Sequence, residues 1–169
     1  MKKAHFLLLI TITFAFSSHA QNNAETNKTD SINQAKKIVG TWRLITFADL
    51  DSASGIWIYP YGENPKGFFT YTKNNIVSLN ISSEISLKIS EDSAKNYSVN
   101  LYDYTWHYAL GYFGTYSIDF KNSTVIHHVT GGTIPYYIDT DQPRPFTFNN
   151  DTLIIGDNKT WKRVLVRAD

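Results

Sequence analysis

Residues 112–130, YFGTYSIDFKNSTVIHHVT, decide the fold. From Tyr112, one face carries Tyr112, Gly114, Tyr116, Ile118 and Phe120, and the other carries Phe113, Thr115, Ser117 and Asp119. Alternation with a period of two marks a strand buried on one side. Lys121-Asn122-Ser123 has the composition of a turn. Thr124–Thr130 then alternates again, which places Val125, His127 and Val129 inside and His128 outside. The stretch reads as an antiparallel hairpin.

The pattern repeats on both sides. Val39–Phe47, Ile56–Tyr59, Gly67–Thr72, Ile76–Ile81, Arg144–Phe148, Leu153–Ile155 and Trp161–Val166 all read as short strands. Lys73-Asn74-Asn75 and Asn149-Asn150-Asp151 supply further tight turns, and Pro60–Lys66 is a loop by its Pro and Gly content. Ser31 reads as the N-cap of a short helix through Ile32, Ala35 and Ile38. Residues 83–100 are polar and take no assignment, and Leu101–Leu110 fits strand and helix spacing alike. Eight to ten strands with hairpin spacing and one or two short helices predict an all-β, antiparallel barrel or sandwich.

Composition narrows the function. Hydrophobic residues are 42% and charged residues 18% of 169, with 16 Lys+Arg against 15 Asp+Glu, so nothing favours nucleic acid. The 11 Tyr, 10 Phe and 4 Trp favour strands and aromatic-lined surfaces. The absence of Cys excludes disulfides, thiolate metal sites and a Cys nucleophile. Lys2 and Lys3, the apolar run Phe6–Phe16 and Ser18-His19-Ala20 have the order of a secretory signal peptide over residues 1–20. The apolar run is too short for a membrane anchor. Residues 21–31 form a polar leader and residues 32–169 the folded domain. The expected protein is exported, periplasmic or secreted, with no stable membrane insertion.

The strand faces gather an aromatic interior with few polar groups: Tyr71, Tyr116, His127 and Arg144, with Phe69 and Phe146 as apolar walls. Apolar walls with sparse polar groups describe a small-molecule pocket. The competing description is a packed core whose polar groups satisfy one another. Arg144 would anchor an acidic head group. In an enzyme, His127 would be the acid–base group with Tyr116 as donor. His127 and His128 point to opposite faces of one strand, so they cannot chelate one metal, and no metal site is expected. Gly62–Gly67 lacks the Lys-Ser/Thr ending of a phosphate loop, no Gly-x-Ser-x-Gly elbow occurs, and no cofactor is expected.

Gly40-Thr41-Trp42 resembles the Gly-x-Trp motif of lipocalins. The segments GTWRL (40–44), YPYGENPKGFFTYT (59–72), GYFGTYSID (111–119), TVIHHVTG (124–131) and WKRV (161–164) together resemble the bacterial lipocalin-like domain family across residues 38–166. That resemblance implies a calycin-type β-barrel with a central cavity and a helix within Glu84–Leu110. It also implies that Trp42 closes one end beneath an Arg of the last strand, Arg163 in preference to Arg167. The expected function is an exported binding protein for a small, largely apolar ligand that can carry an acid group. The alternatives are an isomerase or cyclase acting inside the barrel, or a structural domain with a filled core.

Overall fold

The computed structural model describes Asn33 and residues 36–96, 98 and 100–168. The signal peptide, the polar leader and the Ser31 cap lie outside the described residues. The barrel unit runs from Lys37 to Asp169. Its strands are β1 (Gly40–Leu50), β2 (Trp57–Ile58), β3 (Lys66–Tyr71), β4 (Ile76–Ser82), β5 (Ala109–Asp119), β6 (Thr124–Gly132), β7 (Thr140–Asn149), β8 (Thr152–Ile155) and β9 (Trp161–Arg167). Two helices, α1 (Glu91–Lys95) and α2 (Leu101–His107), fall between β4 and β5, and a 3-10 turn spans Pro135–Tyr137.

Every pairing is antiparallel, in the order β1-β3-β4-β5-β6-β7-β8-β9, and β9 pairs back onto β1. Eight strands therefore close into a barrel, and β2 adds a short ninth beside the end of β1. Asn75, Ser123 and Asn150 hold the hairpin turns with positive φ of 60°, 47° and 53°. Asn tolerates that backbone region better than most residues. The strand faces follow the period-two reading: Phe69 and Tyr71; Val77, Leu79 and Ile81; Tyr112 and Tyr116; Val125, His127 and Val129; and Phe146 are all buried.

Residues 101–110 resolve as a helix followed by a strand. The Asn100 side chain accepts from the Tyr102 and Asp103 amides, a two-bond N-cap that commits the segment to helix. Helix α2 is held by a loop residue outside the strand pattern, Tyr61, which is fully buried and donates its hydroxyl to the Thr105 carbonyl.

Strand β7 is longer than its apolar run because it takes in Pro143 and Pro145. The Pro145 carbonyl faces Gly156, on the side of β8, and Pro143 lies two residues back on the same side. Pairing with β8 begins only at Phe146, so neither ring removes a ladder hydrogen bond.

One expectation is corrected by register. The cation over Trp42 is Arg167, at 4.0 Å from the ring centroid, and not Arg163. In the β1–β9 register Arg167 stands opposite Trp42, and past a bulge between Leu44 and Thr46 Arg163 stands opposite Phe47. Arg167 donates to the carbonyls of Lys37 and Val39, while the Trp42 indole donates to the Ile38 carbonyl at 2.8 Å. A Cβ on Gly40, whose φ is +139°, would collide with the Arg167 guanidinium. Glycine at the head of the Gly-x-Trp triplet is what lets this lid lie flat.

Candidate functional site

At the other end of the barrel a cavity of about 220 Å³ opens. Its floor is buried and mostly apolar: Phe69, Leu79, Ile81, Leu110, Ile155 and the Tyr112–His127 pair. Its half-buried rim is formed by Trp106 of α2, Tyr137 of the 3-10 turn, Trp161, Arg144 and Arg163. The α2 helix, the 3-10 turn and strands β7 and β9 thus bring residues from four separate parts of the chain to one mouth.

The two arginines differ in their neighbours. Arg163 lies 3.2 Å from the Phe47 ring centroid and donates to the Asp49 carboxylate and to the Ala48 carbonyl, both at 2.8 Å. Burial pushes its guanidinium down from the ordinary Arg value, and Asp49 opposes that shift. Arg144 stands between the rings of Tyr137 and Trp161, at 5.6 and 5.7 Å. It donates to Gln142 Oε1 at 3.0 Å and has no carboxylate partner among the described residues. Two cations and one matching anion leave this end of the cavity with a surplus positive charge.

Below them lies a buried polar chain. Tyr71 Oη is 2.9 Å from His127 Nε2, and Tyr112 Oη is 2.7 Å from His127 Nδ1. His127 has no exposure, and burial drives its imidazole down to about 3, with Arg144 and His128 adding to the shift. It is neutral at physiological pH. Burial pushes Tyr71 well up, and pushes Tyr112 up to about 12 against the opposing charge of Arg144.

Of the residues expected to line a pocket, Phe69, His127 and Arg144 do so. Tyr71, Tyr116 and Phe146 do not. Tyr71 lies behind His127, and Tyr116 donates to the Thr72 carbonyl at 2.9 Å. Phe146 packs against Phe148 in the core near the closed end. An acid–base pair of His127 with Tyr116 is therefore not assembled: both ring nitrogens are engaged by Tyr71 and Tyr112. Tyr112 shares the interior face of Tyr116, and alternation alone ranks the two equally. Arg163 moves from the closed end to the rim. Trp106, Tyr137 and Trp161 come from segments whose inward direction no period reveals.

On the outer surface, Ser117 Oγ is 2.9 Å from His128 Nε2, and His128 Nδ1 is 2.6 Å from Asp141. This trio has the bonding order of a nucleophilic triad but does not line the cavity. Among the described residues, no three His, Asp or Glu side chains gather as a metal site, and no helix is long and apolar enough to cross a membrane.

The family model for the lipocalin-like domain matches residues 39–165, which run from just before β1 into β9. The chain belongs to the lipocalin-like domain family. No curated protein matches it. The eight-stranded closure, the Trp42–Arg167 lid and the open far end are therefore the parts of a lipocalin-like barrel, whose form is consistent with holding a small molecule.

Proposed function

We propose that this lipocalin-like protein binds a small, largely apolar molecule carrying an acidic group, with the apolar part on the floor and the acid at Arg144. The single observation that supports this reading is the surplus cation set above an apolar floor. Arg144 lies in an aromatic frame without a carboxylate partner among the described residues, and a charge so placed favours an anion. The cavity volume, about 220 Å³, falls below the ~300–1,000 Å³ of drug-sized sites and corresponds to a ligand of one ring or a short chain. We propose further that the protein acts after export. That part rests on the order of basic, apolar and small residues over 1–20.

The test is a thermal-shift and calorimetric comparison of benzoate, phenylacetate and hexanoate with their amides, on the wild type and Arg144→Ala. A ligand at 100 times its Kd stabilises the fold by about 2.7 kcal/mol. The acids should bind and lose at least tenfold in affinity on Arg144→Ala, while the amides change little. Equal binding of acids and amides, or no binding by any of them, refutes the reading.

A further inference from the structure

We infer that His127 is held as the Nδ1-protonated tautomer, which turns the Tyr112 hydroxyl hydrogen into the cavity and makes the ligand an oxo acid, a carboxylate with a second, carbonyl acceptor and no donor of its own. The ligand half of this inference rests on the binding reading above; the tautomer does not.

The argument begins with a count of hydrogens. A neutral imidazole has one N–H and one lone-pair nitrogen. His127 sits between two phenols, so one tyrosine must donate to it and the other must accept from it. Tyr71 is 1% exposed, and its hydroxyl has no second partner among the described residues. If Tyr71 accepted, its own hydrogen would be left buried without an acceptor, at about 1–3 kcal/mol. If it donates to Nε2, that cost vanishes. His127 must then carry its proton on Nδ1 and donate to Tyr112 Oη. The hydrogen left over belongs to Tyr112, which lines the cavity. His127 is thus a positioning residue that sets which way a cavity hydroxyl points.

A second observation points the same way independently. The Trp106 indole N–H is buried at the same cavity and has no partner among the described residues. Such orphan donors are uncommon, and at a cavity they mark where a ligand acceptor belongs. Arg144 and Arg163 can only donate. Of the polar side chains facing the cavity, only the hydroxyl oxygens of Tyr137 and Tyr112 can accept, and that of Tyr112 is already engaged by His127 and approached by Arg144. A ligand hydroxyl or amine would bring further hydrogens to a lining that already has too many. A carboxylate at Arg144 and a carbonyl oxygen for the neutral donors would satisfy it.

Two measurements test this. The first uses the free protein: long-range 1H–15N correlation of the imidazoles at pH 7.5. We expect a neutral His127 with Nδ1 protonated, and an Nε2-protonated His127 overturns the inference whatever binds. The second compares benzoylformate, mandelate and phenylacetate by calorimetry on the wild type, Trp106→Phe and Tyr112→Phe. Benzoylformate should bind about tenfold more tightly than mandelate, the scale of one neutral hydrogen bond. Trp106→Phe should erase most of that preference, read as the ratio of the two affinities within the variant, since it removes a donor that only the second acceptor uses. It should leave the free protein folded, because it trims packing against the core but breaks no hydrogen bond among the described residues. Tyr112→Phe should act in the same direction, and Trp106→Phe keeps the test open if that variant folds poorly. Benzoylformate binding no better than mandelate overturns the ligand assignment. If phenylacetate also fails to bind, the ligand assignment falls with the binding reading, and the nitrogen shifts alone decide the tautomer.

Discussion

Acidification should weaken this barrel well before its carboxylates titrate, because of one residue. His127 has an ordinary value of 6.5 and is driven down to about 3 in the fold, chiefly by burial. Between those values the unfolded chain binds a proton that the folded chain refuses. The stability His127 carries is therefore complete above pH 6.5 and is lost as pH falls from there towards 3. Each pH unit inside that window is worth up to about 1.4 kcal/mol. From pH 7.5 to pH 5 the loss integrates to about 2 kcal/mol. For a barrel of this size that is a fall in Tm of about 6–10 °C. Asp51, Glu84, Asp119 and Asp157 are all held below their ordinary values by hydrogen bonds, so their contributions are lost only below about pH 4.5. They leave the upper window to His127. The assay is urea unfolding in buffers from pH 7.5 to 5, with His127→Gln as the control that cannot titrate. His127→Gln should be less stable at pH 7.5 and should show little slope. An equal slope in both proteins refutes the reasoning, as does an NMR midpoint for His127 near 6.5.

Other expectations follow from named contacts. Trp42→Ala should cost about 3–5 kcal/mol, as for other buried aromatics, and a double-mutant cycle should couple it to Arg167→Ala but leave it additive with Arg163→Ala. Coupling to Arg163 instead would contradict the β1–β9 register that sets Arg167 opposite Trp42. Asp49→Asn should cost about 1.5–3 kcal/mol by leaving the Arg163 guanidinium without its carboxylate, and should raise acid affinity at the rim by freeing that charge; denaturation and calorimetry read the two effects separately. Tyr61→Phe should cost about 1 kcal/mol and speed hydrogen exchange in α2, because the hydroxyl bond to Thr105 fixes that helix to the barrel. Gly40→Ala should lower stability and abolish the coupling of Trp42 to Arg167, since its Cβ takes the place of the guanidinium.

How far the sequence alone reaches can be seen strand by strand. Alternation in 112–130 was sufficient to place Tyr112, Tyr116, Val125, His127 and Val129 inside and His128 outside, because pleating ties each side chain's direction to its neighbour's. The turn residues and strand count were enough for an antiparallel barrel or sandwich, and the family resemblance chose the barrel and its closed end. The sequence also exposed the two groups that matter most at the cavity, His127 and Arg144, as polar residues on apolar faces. What it left open depends on contacts between distant parts of the chain. The β1–β9 register decides which arginine covers Trp42, and the pairing of the first long strand with the last is a long-range contact that local spacing does not encode. The length of β7 depends on where β8 ends, since only an unpaired edge accepts Pro143 and Pro145. Trp106, Tyr137 and Trp161 reach the rim because a helix, a 3-10 turn and a strand end meet there in space. Periodicity placed Tyr71 and Tyr116 inside but could not say whether they face the cavity or lie behind it. That distinction belongs to the three-dimensional packing of the barrel, where the hydroxyl of Tyr71 ends on His127 and that of Tyr116 on the backbone of Thr72.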